Sequence, residues 1–286
     1  MTDRFAEVKI LDNFYQTSSF FPMPVVLVGT VADSGQTNIG PYSLCFPHIV
    51  ASRHAMLLIA RDTSNTAKNI AERRHCSLNF IPHRRRFLKN CVTLGFPGET
   101  TEEKMKNSIF TLEPSRRPPA DGIRFPDIVT EAVQVFECTW DNSFPLTYFE
   151  GDQERRFVLK IEKIHLRRSL RAALLGGTCS PDLPVDYGFR DNARFWLARH
   201  RRPYSEPIPR SKGVSIDAVQ YAVQRVDPDM KWQEDACAKL VRVPRPFMTA
   251  AIRACVEAAQ EEGVSEITAE FVDKVRDKRR GEKPRG

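Results

Sequence analysis

The pattern of apolar and polar positions divides the chain into a β-rich first two-thirds and a helical remainder. Val25–Val31 (VVLVGTV) is a β-branched apolar run, as for a buried strand. Asp33-Ser34-Gly35-Gln36 is a turn signal, and Thr37–Ser43 is placed to return as a hairpin partner. Ala55–Arg61 reads as a second buried strand, Ser64–Arg73 as a helix and Cys76–Ile81 as extended. Glu102–Phe110 reads as a helix, and Glu131–Trp140 and Arg156–Leu166 as two more strands. Residues 181–212 contain Pro181, Pro184, Pro203, Pro207 and Pro209 with several arginines, and read as a linker or surface arm.

After Gly213 the period becomes helical. Ser215–Val226, Gln233–Val241 and Pro246–Glu262 are predicted helices, the last with Pro at its start and Gly263 just past its end. Phe247, Ala251, Ala254 and Ala258 are expected to form its buried stripe. Thr268 is set to cap a final helix, Ala269–Lys278. The predicted organisation is therefore a mainly β domain over 1–180, the arm over 181–212, and a small all-α domain over 213–286.

Composition narrows the class. Apolar residues make up 41% of the 286 positions and charged residues 28%, which suits a globular chain with a sizeable core. The longest apolar run, Ala55–Ala60, is six residues, where a membrane helix needs about 20. Asp3, Arg4, Glu7 and Lys9 stand where a signal peptide needs an apolar stretch, so a cytoplasmic protein is expected. The formal charge of +7 fits nucleic acid, an anionic cofactor or solubility alone. It is dispersed in short clusters without interleaved aromatics, which disfavours nucleic acid.

The seven cysteines, Cys45, Cys76, Cys91, Cys138, Cys179, Cys237 and Cys255, form no C-x-x-C, which fits a reducing compartment rather than a disulfide or zinc framework. His75 and Cys76 are adjacent, but a strand sends them to opposite faces, away from any shared metal. Rossmann, P-loop and G-x-S-x-G motifs are absent.

The informative stretch is 22–81. Arg61-Asp62-Thr63-Ser64-Asn65-Thr66 gathers hydroxyls and a guanidinium where a strand passes into a helix. Exposed N–H groups at a helix start, with hydroxyls and an Arg, make a phosphate site. The alternative is that Thr63 or Ser64 is only an N-cap and Arg61 pairs with a surface carboxylate.

The ordered set P-x-P-V-V-L-V-G-T, D-x-G, N-I-x-P-Y-S and T-x-x-N-I, followed by Ser115-Arg116 through Cys138 (S-R-x-P-P, then E-A-x-x-x-x-E-C), resembles the flavin reductase-like family over about residues 8–175. That resemblance implies an FMN-binding split β-barrel and hydride transfer from NADH or NADPH to flavin. It places Tyr42, Ser43, Leu44 and Cys45 along the isoalloxazine. Arg61, Thr63, Ser64 and Thr66 would surround the phosphate. Asn69 would hold the helix start or reach the phosphate, and Asn38 and Pro41 would shape the loop. No catalytic acid, base or nucleophile is required, because the flavin carries the chemistry. A homodimer is implied, with the flavin site across the two-fold axis and Phe20, Phe21 and Phe46 covered by the partner.

The chain departs from the family pattern at Ile49–His54 (IVASRH) and in having Cys45 beside the ring. His83 with Arg84–Arg86 reads either as a dinucleotide or phosphate contact or as a solvated basic loop.

Residues 230–276 are similar to the small C-terminal domain of the light-independent protochlorophyllide reductase B subunit. The points of likeness are Trp232 with Ala236, the turn at Val243-Pro244, the helix end at Gly263 and the cap at Thr268. This implies a fold, and with it docking to a redox partner or proximity to a tetrapyrrole. An electron carrier and a non-catalytic flavin or tetrapyrrole binder are therefore the alternatives to a flavin reductase.

Overall fold

The computed structural model describes residues 6–50, 53–96, 98–119, 122–144, 146, 151–175, 181–191, 194–198, 215–227 and 229–281. A short helix α1 (Phe14–Thr17) precedes strands β1 (Met23–Pro24), β2 (Val26–Val31), β3 (Thr37–Tyr42), β4 (Cys45–Ile49) and β5 (Ala55–Arg61). Helix α2 (Asn65–Arg73), strand β6 (His75–Phe80) and helices α3 (Arg85–Leu94) and α4 (Thr101–Lys106) follow. Short strands β7 (Leu112–Glu113) and β8 (Ile128–Val129) lead to β9 (Gln134–Trp140) and β10 (Glu154–Leu166). Helix α5 (Arg168–Leu175) and strands β11 (Val185–Asp191) and β12 (Arg194–Leu197) come next. The remainder holds α6 (Ile216–Val226), β13 (Lys231–Trp232), α7 (Glu234–Leu240), α8 (Arg245–Glu262), β14 (Glu266–Ile267) and α9 (Ala269–Gly281).

Seven strands form one curled antiparallel sheet in the order β3-β2-β6-β9-β10-β5-β4. The turn at Asp33–Gln36 sets the β2–β3 register, pairing Val31 with Thr37 and Val26 with Tyr42. Successive side chains of β2 enter different cores. Val26 and Val28 pack with Leu58, Phe157 and Leu159. Leu27 packs with Ile39, Phe87 and Leu88. A strand buried on both faces needs an unbroken apolar run, which is what Val25–Val28 supplies. Cys76 lies in the first core. Its neighbour His75 stacks on Phe125 with ring centroids 4.2 Å apart, so the two side chains diverge.

Three expectations are corrected. The basic run 84–86 is not a loop: Arg84 caps α3, and Arg85 and Arg86 begin it. Phe87, Leu88, Cys91 and Leu94 recur at helical spacing and face the sheet, leaving the arginines exposed. Helix α4 stops at Lys106 rather than Phe110. The arm also contains ordered strands. Pro181 and Pro184 precede β11, which pairs with β1 and β12 in a three-stranded sheet. Pro203, Pro207 and Pro209 lie outside the described residues.

The chain divides into two units, residues 1–204 and 205–286. The division falls after β12, within the stretch 181–212 expected as an arm. The second unit has its own core, centred on Val219, Ala236, Ile252, Ala259 and Ile267. Its helix ends follow the sequence signals. Ser215 Oγ accepts from the Ala218 N–H, and Thr268 Oγ1 from the Phe271 N–H. Gly263 ends α8 at φ 68°, where a side chain would be strained. The buried stripe of α8 overlaps the one expected: Ala254 is buried, and Ala251 and Ala258 pack half-buried against the core. Met248, Ile252, Cys255 and Ala259 are buried, whereas Phe247 is 64% exposed. Among the described residues no helix is long and apolar enough to cross a membrane.

Candidate functional site

Strand β3 lies at the edge of the large sheet, so one row of its backbone groups is not used in strand pairing. Its C-terminal end, the end of β5 and the start of α2 meet at a cavity of about 430 Å³. Helices α3 and α4 and strands β11 and β12 supply further parts of the wall. The wall is apolar along Met23, Val25, Leu44, Ile59 and Leu88. Its polar groups gather at two places.

The first is the start of α2. Ser64 caps the helix, accepting from the Ala67 N–H at 3.1 Å. It also accepts from the Tyr42 hydroxyl at 3.1 Å, and burial pushes that phenol above its usual range. The capping alternative for Ser64 is thus observed. Thr63 and Thr66 line the same wall, Thr63 exposed and Thr66 buried. Arg61 is exposed and forms no ion pair among the described residues, while the next residue, Asp62, pairs with Arg155. Gly40 brings the β3 backbone close. A Cβ there would stand 2.8 Å from Thr66 Oγ1 and 2.9 Å from the Tyr42 ring.

Lys104 completes this end and was not singled out from sequence. It projects from α4, is 9% exposed, and its ammonium has no hydrogen bond or ion pair among the described residues. Burial pulls its pKa down to about 8, with Glu99 opposing the shift. The signal that would have found it is T-T-E-E at 100–103. Thr100 and Glu103 form a capping box, with the Thr100 N–H donating to Glu103 Oε2 at 2.9 Å and the Glu103 N–H to Thr100 Oγ1 at 3.2 Å. That box fixes the helix start and hence the direction of Lys104.

The second polar place is Asp186 on β11, 1% exposed. The Ser43 hydroxyl donates to its Oδ2 at 2.6 Å and the Gly188 N–H to its Oδ1 at 3.2 Å. Desolvation nevertheless raises its pKa to about 7. Asp186 was hidden in the expected arm.

Of the residues singled out from sequence, Pro41, Tyr42, Ser43, Leu44, Arg61, Thr63, Ser64 and Thr66 line this cavity. Asn38, Cys45 and Asn69 do not. The Asn38 amide nitrogen donates to Thr30 Oγ1 and Thr66 Oγ1, both at 3.4 Å. The Asn69 amide donates to Thr30 Oγ1 at 3.0 Å. Both therefore brace the β2–β3–α2 junction behind the wall. Cys45 alternates away from Leu44 into the sheet's inner core, where burial pushes its thiol far up. Arg84–Arg86 are not on the wall either.

No family model matches this chain, and no curated protein does. Among solved structures, flavoredoxin from Methanosarcina acetivorans matches 72% of this chain and 97% of its own, at 16% identity and a TM-score of 0.51. Nitrilotriacetate monooxygenase component B from Bacillus cereus matches 72% of this chain and 100% of its own, at 16% identity and a TM-score of 0.50. The 2-nitrobenzoate 2-nitroreductase of Pseudomonas fluorescens matches 73% and 100%, at 18% identity and a TM-score of 0.50. At these identities the likeness is one of fold: the first part of the chain has the split-barrel fold of these flavin proteins.

Proposed function

We propose that the cavity binds FMN and that the protein is a flavin-dependent oxidoreductase taking hydride from NADH or NADPH. The observation that carries this reading is Lys104, a buried cation whose ammonium forms no hydrogen bond or ion pair among the described residues, beside the hydroxyl-rich start of α2 at one end of an apolar-walled cavity. A buried ammonium is costly unless an anion offsets it. A phosphate monoester at this end would receive Lys104, Arg61, the Thr63 and Thr66 hydroxyls and the free N–H groups of α2. The volume is within the roughly 300–1,000 Å³ of small-molecule sites. The apolar wall beyond suits a flat ring.

When bound, FMN supplies the hydride-accepting chemistry. The chain's own residues supply position. The backbone at the end of β3 and just beyond it, Tyr42 to Leu44, would present donors to the ring's polar side, where negative charge develops on reduction. Asn38 and Asn69 hold Thr30 and Thr66 and so keep α2 in register with β3. Phe20 and Phe21 are half-exposed, which supports the reading of a homodimer that covers them.

The test is anaerobic addition of NADH or NADPH to the flavin-loaded protein. Bleaching of the visible flavin band by either is expected. A bound flavin that neither nucleotide reduces would overturn the oxidoreductase reading.

A further inference from the structure

At the end of the cavity marked by Ser43 stands a carboxyl group that the phosphate site does not use. Asp186 is 1% exposed, lines the wall and has no cation within ion-pair distance among the described residues. Among the described residues its two oxygens accept from Ser43 and Gly188 only. The other titratable groups on the wall are Tyr15 on α1, Tyr42 on β3, Arg61 on β5, Cys91 on α3, Glu99 before α4, Lys104 on α4 and Glu154 on β10. Tyr15 and Cys91 are both pushed up partly by the charge of Asp186, which places them near it. Glu154 also raises Tyr15, so it adds negative potential on the same side. Arg61 opposes these effects at Tyr15.

We propose that Asp186 is a proton-uptake group of the cavity: a ring that fills the Ser43 end replaces the open, polar space beside its carboxylate with apolar surface, and the carboxylate takes one proton from the buffer as the ring binds. This rests on the flavin-site reading. The balance is a carboxylate and a solvent proton becoming a carboxyl group, with Ser43 then able to accept from Asp186 instead of donating to it. The proton is thereby stored inside the occupied cavity, one hydrogen bond from the wall residue Ser43. The free carboxyl titrates at about 7, so no uptake is needed well below neutrality, and the affinity for the ring falls as pH rises through 7.

The experiment is FMN binding to the flavin-free protein at pH 7 and 8. It is followed by fluorescence and by calorimetry in buffers of different ionisation enthalpy. The wild type is expected to lose about fivefold in affinity through Asp186 and about twofold through Lys104, or about tenfold in all. Asp186→Asn keeps both hydrogen-bonding positions and is expected to lose only about twofold, with less proton uptake at pH 8. Ser43→Ala removes the donor that holds the carboxyl down, so its break is expected at higher pH than the wild type's. Equal pH dependence and equal uptake in wild type and Asp186→Asn, with FMN bound by both, would overturn the role of Asp186 alone. Failure of FMN to bind any of the three would overturn the flavin reading, and this inference with it.

Discussion

Lys104 and Asp186 are the two buried charged side chains on the cavity wall. Lys104→Met keeps the stem's packing and removes the charge. A charged hydrogen bond contributes about 1.5–3 kcal/mol, so FMN affinity is expected to fall about 10- to 150-fold, with far-ultraviolet circular dichroism unchanged. Arg61→Ala is expected to cost less, because that guanidinium is exposed and screened. Thr66→Val has a second consequence. It removes an acceptor of the Asn38 amide, so about 1 kcal/mol of folding stability is expected to go with the affinity. Asp186 also leaves a mark on the unliganded protein. Its folded pKa, about 7, lies above the unfolded value near 4, so the folded state holds the extra proton between them. Stability therefore falls as pH rises from about 4 to about 7, by on the order of 4 kcal/mol from this group. Asp186→Asn is expected to flatten that fall in denaturant titrations. An unchanged profile would mean that the carboxyl is solvated. At this scale Arg61, Thr63 and Thr66 were legible, because a strand-to-helix junction rich in hydroxyls has a local signature. Asp186 was not, since nothing around it marks a carboxyl as buried until a distant strand covers it.

The elements that place these residues differ in how local they are. Strands β2, β5, β9 and β10 and helix α2 carry their own period, and the expected and observed bounds agree to within a few residues. Helix α3 was equally local, with Phe87, Leu88, Cys91 and Leu94 on one face. The basic triplet at its start drew the reading toward a loop. Strands β11 and β12 were not legible in the same way. The prolines and arginines around them drew the reading toward an arm, and β11 is held as a strand by pairing that includes Met23 and Pro24, some 160 residues earlier. Helix α4 has six residues, too few to be stable on its own. Its capping box therefore matters to the site. Thr100→Ala is expected to cost about 1 kcal/mol of stability and to weaken FMN binding through the freed Lys104. Binding unchanged by that substitution would show that Lys104 is positioned by packing alone.

For the whole molecule, the separate cores of residues 1–204 and 205–286 predict two cooperative units. Calorimetry is expected to show two unfolding transitions. FMN at about 100 times its Kd should stabilise one of them by about 2.7 kcal/mol and leave the other in place. A single transition that moves as a whole would mean that the units fold together. The second unit's helix caps were legible because Ser215, Gly263 and Thr268 act within one turn, whereas its buried stripe depends on how α8 packs. The proposed site has a phosphate end and a ring end. Titration of the flavin-free protein with FMN and, separately, with riboflavin tests this most directly. FMN is expected to bind on the order of 1 μM or tighter, and riboflavin weaker by at least about tenfold for want of the phosphate. Equal affinity for the two, or no uptake of FMN, would contradict it.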